Sequence, residues 1–385
     1  TTGEILGVQA LQNMSEVVNI QAKRGVILTT GGFEYNAVMK LNYLKCSPMH
    51  FGGWQYNTGD GINMALKVGA GLWHMNTVSG RPAPWIPTHN MAWAVNAVTN
   101  NYVWVDRYGN RFMRETGYPS HDGWTPFTDW NYTYSEYSRL PALMIFDSTM
   151  YKAGPVAIGE GGDALRTGIN ALPVQLGGTI NYSTPLPSTT KWAPNSWSLD
   201  NSAELAAGWI IQGADLPTLA ANIASATIWG SNQNYFQGLG VPPGWNSVES
   251  QDNVTMPGNG YGSNCPHFSA ATLTAALNQY NADCAAGKGD TVFGRAASTM
   301  APVQTAPFYA LPLWPAGPNT NGGPIRNETA HVCDPDYNPI PRLYSAGELG
   351  SVYGYLYQGG GNLTESCAFG RIAGLNAAAE NPWTT

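Results

Sequence analysis

Charge is scarce in this chain. Only 11% of its 385 residues are Asp, Glu, Lys or Arg, under half the usual share for a globular protein. The 18 Lys plus Arg residues form no basic run and the net charge is −7, which argues against a nucleic-acid or anionic-membrane partner. No apolar stretch reaches the roughly 18 residues a membrane-spanning helix needs. Cysteine is sparse as well. Cys46, Cys265, Cys284, Cys333 and Cys367 are widely spaced and odd in number, so they form no disulfide framework and at least one thiol is left over. No metal signature is present. Cys265-Pro266-His267 comes nearest to a ligand pair, and it reads as structural. The chain opens at Thr1 in mid-pattern, which points to a processed or truncated N-terminus.

What is abundant is Gly (45) and Pro (27), so long ordered loops are expected. Hydrophobic residues make up 43%, enough for a sizeable core, and the length suggests two lobes. Val26-Ile27-Leu28-Thr29-Thr30 is a short β-branched run that ends in Gly31-Gly32, the pattern of a buried strand whose end approaches something closely. Thr58-Gly59-Asp60-Gly61 leads into a short helix over residues 62–68. From about residue 73 to 305 the texture changes to Trp, Tyr, Asn and Pro. There Val103–Asp106 and Arg111–Met113 flank a Gly-containing hairpin loop, 140–146 reads as a strand, and 202–214, 216–227 and 270–285 read as helices. Toward the C-terminus, Leu343–Ala346 reads as a strand. The turn Gly359-Gly360-Gly361 then opens a helix from Asn362 to about Ala379. Its free N–H groups and dipole favour negative charge or a carbonyl oxygen.

Several of these segments together resemble the fumarate reductase / 3-ketosteroid dehydrogenase superfamily of flavoproteins. They are Ala22–Phe33, Gly59–Ala65, Asp106–Phe112 with Glu115, Leu343–Glu348, and Gly359 through Phe369-Gly370-Arg371-Ile372-Ala373-Gly374. They occur in the family's order and near its spacing, weakest between residues 150 and 265. The resemblance implies an α/β plus α+β architecture: a discontinuous Rossmann-like FAD-binding domain with an inserted capping domain. Residues 1–72 and 306–385 would belong to the FAD-binding part and 73–305 to the cap, which bears the substrate. It also implies that Thr30, Gly31, Gly32, Asp60, Gly61 and Glu348 contact FAD. Gly361, Asn362 and Leu363 would present backbone to the N1–C2=O edge of the flavin, where a helix N-terminus stabilises the negative charge of the reduced ring. The family's Gly-x-Gly-x-x-Gly fingerprint is absent and would lie upstream of Thr1. The FAD-binding part is therefore incomplete in this chain, and a missing N-terminal segment or a second polypeptide is expected to complete the site.

The same comparison separates the family's reactions. Fumarate-reducing members grip a dicarboxylate with cations. Here Tyr357, Pro318/Asn319 and Tyr118/Pro119 stand at those places, and two carboxylates buried without partners would cost too much. The ketosteroid dehydrogenase branch has a Tyr four residues before the last Gly of the cluster, as Tyr357 stands before Gly361. In that branch the pair polarises a substrate carbonyl. A second Tyr removes the neighbouring proton. Tyr118 is its nearest match, offset by one residue with Pro119 in the Tyr position, and His121 or Asp122 could serve instead. The expected activity is FAD-dependent oxidation or reduction of a CH–CH bond beside the carbonyl of a small apolar, polycyclic or aromatic substrate. The aromatic-rich loops 50–56, 118–137 and 229–245 read either as loop cores or as a flat pocket. A catalytically silent flavoprotein-like subunit and a carbohydrate- or surface-binding module remain the alternatives. The compartment stays open between the cytoplasm and export of the folded protein.

Overall fold

A computed structural model of the chain describes residues 3–13, 15–86, 91–118, 121–159, 197–226, 265–354, 357 and 360–383. Pro119, Gly359, the loop 229–245 and much of the segment expected to resemble the family least lie outside the described residues.

The two ends of the chain build one layered unit. Val26–Leu28 pairs in parallel with Pro339–Ser345, through Leu343 with Val26 and Ser345 with Leu28, and His331–Cys333 pairs antiparallel on the other side. Parallel pairs require a long crossover, and here the crossover is most of the chain. The C-terminal helix Gly361–Ala379 covers this sheet, burying Ala373 and Ala377 against Tyr344 and Ala330. Its small residues allow the close approach. The hairpin Gly7–Gln12 with Glu16–Gln21 pairs only with itself among the described residues and exposes Leu11, Val17 and Ile20.

The middle of the chain and Phe308–Thr320 form a second sheet. Its order is Ile211–Gly213, Phe308–Thr320, Ala142–Asp147, Tyr102–Val105. Ala142–Asp147 and Tyr102–Val105 are buried at every residue, as strands covered on both faces must be. The far half of Phe308–Thr320 leaves these partners and pairs with Val78–Ala83 and His50–Phe51, with a bulge between Ala316 and Asn319. One strand thus runs from the middle segment to the sequence neighbourhood of Gly31 and Gly32. Pro312, Pro315 and Pro318 lie within it and hide it from a strand pattern, since proline cannot donate to a ladder.

The helix expected over 202–214 is shorter. It spans Ser202–Ala206, Gly208 turns at φ +74°, and Ile211–Gly213 joins the sheet. A left-handed glycine ends a helix at low cost. The other helices match the expectation closely. Asp60–Lys67 is entered through Gly59 at φ +79°, and Ala270–Ala286 is capped by Ser269 and closed by Gly287 at φ +66°. The five cysteines are all free thiols, and His267 stacks on Tyr134 at 3.9 Å. In the aromatic loop 50–56, His50 is a core residue, stacked on Trp85 at 4.6 Å, whereas Trp54 and Tyr56 are exposed.

Candidate active site

The end of Val26–Leu28 delivers Thr29 and Thr30 to Gly31, whose φ of +78° suits glycine. A Cβ at Gly31 would stand 2.6 Å from Asn57 Oδ1. One at Gly32 would strike Thr320 Oγ1 and come within 2.6 Å of Glu348 Oε1. Bare backbone is therefore a packing requirement here. Glu34, two residues on, is fully buried. Its Oε1 and Oε1 of Glu348 both accept from the Thr320 N–H, at 3.1 and 3.2 Å. Asn57 Nδ2 donates to the second oxygen of Glu348 at 3.3 Å. Burial raises both carboxyls above the ordinary carboxylate range, and the charge of Glu34 pushes Glu348 further. Lys40, coupled electrostatically to Glu34, is brought down to about 8 by burial.

A second group of side chains gathers at the start of the C-terminal helix. Gly360, at φ +81°, precedes it with no side-chain cap, so its first N–H groups seek other partners. The Asn362 N–H donates to the Tyr357 hydroxyl oxygen at 3.4 Å. Tyr353 presses its hydroxyl against Gly361, where no Cβ would fit. The His121 ring stands edge-on to Tyr357, centroids 4.6 Å apart. His121 is held at φ +68°, and its carbonyl accepts from the Gly80 N–H at 2.6 Å. Tyr118 goes elsewhere. It packs on Trp104, centroids 5.8 Å apart, and beneath Gly123, and burial pushes its hydroxyl up to about 12.

Three carboxamides join the two groups. Asn319 Nδ2 donates to Thr320 O at 2.9 Å and, more weakly, to Asn321 Oδ1 at 3.4 Å. This fixes its orientation, so Asn319 Oδ1 is the atom that accepts from Asn362 Nδ2, at 2.6 Å. Asn362 Oδ1 at one end of the chain and Asn321 Nδ2 at the other are buried without a protein partner, as are Glu34 Oε2 and Ser351 Oγ nearby. Below, Arg326 pairs with buried Glu365 and donates to the carbonyls of Gly347 and Leu349, at 3.3 and 3.2 Å, tying the helix to the loop that bears Glu348. Burial lowers Arg326 to about 10.

The structure therefore brings Gly31, Gly32, Gly61 and Glu348 into one neighbourhood: Gly61 packs on Thr30, where a Cβ would meet its hydroxyl. Tyr357, Gly361, Asn362 and His121 form the other, and Tyr118 stays apart. Thr30, Asp60 and Leu363 face outward. Sequence reasoning missed Glu34, Asn57, Thr320 and Asn321, and saw Asn319 only as the place of a missing cation. The available signal was a glutamate directly after Gly-Gly-Phe, and two asparagines around Thr320 directly before Gly322-Gly323. Two features fit FAD: buried polar atoms left without partners, on Glu34, Asn321, Ser351 and Asn362, and a helix N-terminus without a side-chain cap.

A family model described as FAD binding domain matches residues 1–363. The probable fumarate reductase Ifc3 of Shewanella frigidimarina is 43% identical over 109 residues, 28% of this chain and 18% of that protein. The 3-oxosteroid 1-dehydrogenase of Mycolicibacterium smegmatis is 26% identical over 375 residues, 94% of this chain and 53% of its own length. In fold, the chain is similar to a 3-ketosteroid delta1-dehydrogenase from Sterolibacterium denitrificans solved with 1,4-androstadiene-3,17-dione. That likeness has a TM-score of 0.68 at 22% identity over 98% of this chain and 57% of that one. The chain thus spans about half the length of these two proteins, which it matches along nearly all of its own. Its mixed sheets and helices make an α/β fold, and it belongs to the FAD binding domain family, within the fumarate reductase / 3-ketosteroid dehydrogenase superfamily of flavoproteins, whose cofactor is FAD.

Proposed function

We propose that this chain forms the flavin-edge and capping parts of an oxidoreductase that acts on a CH–CH bond next to a carbonyl. The reaction is dehydrogenation of a ketone to an enone, or the reverse, on an apolar polycyclic or aromatic substrate. In this reading residues 1–72 and 306–385 belong to a discontinuous Rossmann-like unit and 73–305 to the cap. A dinucleotide-binding half, upstream or on a second chain, completes the site. When bound, FAD supplies the two-electron exchange with the C–H bond. Gly31, Gly32, Asp60, Gly61 and Glu348 would hold it, with the backbone of Gly361, Asn362 and Leu363 along the ring edge.

The observation that carries this reading is the placement of Tyr357 at the helix N-terminus. Its oxygen already accepts from the Asn362 N–H, so its own proton is left to be donated. The hydroxyl and the Gly361 N–H can then bind a carbonyl oxygen together. That withdraws electrons and acidifies the adjacent C–H. The edge-on His121 is the better candidate to take that proton. An imidazole needs little tuning, whereas Tyr118 is shifted by burial in the wrong direction for a base.

Tyr357→Phe in the flavin-loaded protein tests the assignment, with 3-oxosteroid turnover followed through an artificial electron acceptor. A drop of tenfold or more, about 1.4 kcal/mol of barrier, is expected. A smaller drop removes Tyr357 from the mechanism.

A further inference from the structure

We infer that Glu34 is a positioning residue of the cofactor site. It shares one proton with Glu348 and so holds the pair at half the charge the two carboxyls would otherwise carry. The proton sharing follows from the geometry. One N–H, that of Thr320, is accepted by Oε1 of each carboxyl, at 3.1 and 3.2 Å, and the same two oxygens crowd one side of Gly32, 3.1 and 2.6 Å from where its Cβ would stand. Two buried carboxyl oxygens that converge on one N–H cannot both belong to ionised groups, so one proton lies on the pair. Glu34 is fully buried and keeps one oxygen without a partner, whereas Glu348, of intermediate exposure as a residue, has both oxygens bonded, to Thr320 and Asn57. The arrangement is a buried pair at the Gly31–Gly32 turn, in which Glu34 sets the charge that Glu348 carries. Its bearing on the cofactor rests on the FAD reading above. A dinucleotide brings two phosphate charges of its own, so a pair with charge −1 repels it less than a pair with charge −2.

The other groups that face the pair are Lys40 and the Tyr35 hydroxyl. Lys40 donates to Met49 O at 3.2 Å, and Tyr35 to Phe51 O at 3.0 Å. Asn57, Thr320, Gly32 and Gly53 around it are neutral. Lys40, lowered to about 8, gains protons less readily in the folded state. Its contribution to stability therefore grows with pH above that value. The pair acts in the opposite sense. Carboxyls raised by folding stabilise below about pH 4.3 and lose that contribution as pH rises through their folded values.

The test compares melting temperatures of the apo chain from pH 5 to 7.5 for wild type and Glu34→Gln. The amide that this substitution introduces can donate to Glu348 without titrating. The wild type should lose several degrees relative to the variant as pH rises. Parallel curves would overturn the proposal. Glu348→Gln removes the shared proton from the other partner and must reproduce the effect should Glu34→Gln fail to fold. FAD titration by fluorescence quenching is the second arm. A Kd that rises about tenfold per pH unit in the wild type, and stays within twofold in Glu34→Gln, supports the role at the cofactor. A flat Kd in both overturns that role. This arm uses the protein with its dinucleotide-binding half present; there, melting curves that diverge without FAD binding in either form would support the shared proton and refute the FAD reading of the site.

Discussion

Arg111→Met is the most informative single perturbation of the middle of the chain. Arg111 is buried and makes four charge-assisted bonds: Nε and Nη2 to Glu115 at 2.9 and 3.0 Å, and Nη1 and Nη2 to Asp290 at 3.0 and 2.9 Å. Arg295 adds a longer contact to Glu115 at 3.3 Å. Two cations face two carboxylates, so the cluster is neutral. Methionine keeps the apolar stem against Tyr280 and Phe293, whose rings lie 4.9 and 5.2 Å from the guanidinium. It removes the charge and the four donated bonds. Two carboxylates then share one cation, and removing one partner from such a buried pair costs about 3–5 kcal/mol. Backbone N–H groups still reach the carboxylates, from Trp104 to Glu115 and from Val292 and Phe293 to Asp290, which places the cost at the lower end. Urea unfolding followed by circular dichroism at pH 7 measures it. The pH dependence has a definite sign. Burial alone would raise Asp290, but Arg111 holds it below the ordinary range, so the wild type loses this contribution only below about pH 3.9. Without Arg111, acid neutralises the stranded charge, and the penalty should shrink from pH 7 to pH 5. A cost under about 1 kcal/mol, or one that is the same at both pH values, would refute the reasoning.

Two further substitutions probe the site itself. Gly32→Ala puts a methyl group against Thr320 Oγ1 and Glu348 Oε1. It should cost about 1–3 kcal/mol in denaturant unfolding and lower the flavin absorbance of the purified protein. Asn319→Leu removes the acceptor for Asn362 Nδ2 and the donor to Thr320 O at nearly constant volume. It should cost about 1–3 kcal/mol, read as a lower melting temperature. An unchanged melting temperature would show that the carboxamide chain carries no stability.

The cofactor neighbourhood was legible where local backbone geometry writes itself into sequence. Gly31, Gly59 and Gly360 all adopt positive φ, and only glycine does so cheaply. The helix Gly361–Ala379 followed from its opening turn and from small residues at packing positions. Glu34 was not legible, because nothing local distinguishes a buried glutamate from a surface one. Its environment is set by Thr320 and Glu348, far away in the chain. The strand Phe308–Thr320 escaped for a different reason. Its three prolines break the donor pattern, and pairing with four other strands overrides that local preference. Asn319 and Asn321 became meaningful only once that strand placed them between the helix start and the carboxyl pair.

The direction of the carboxamide chain bears on what the proposed site can accept. Because Asn319 spends its N–H groups on Thr320 O and Asn321 Oδ1, it can offer Asn362 only an acceptor. Asn362 must then answer with its own amide nitrogen, and its buried Oδ1 is what remains. A buried carbonyl oxygen attracts an N–H or O–H group and repels a carboxylate. A histidine or arginine at residue 319 would reverse that preference, since a cation there could hold an acid. The neutral residue and its locked orientation therefore act together. This end of the candidate site thus offers a buried acceptor rather than a cation to an acid, which supports the proposed reading of an uncharged substrate over a dicarboxylate.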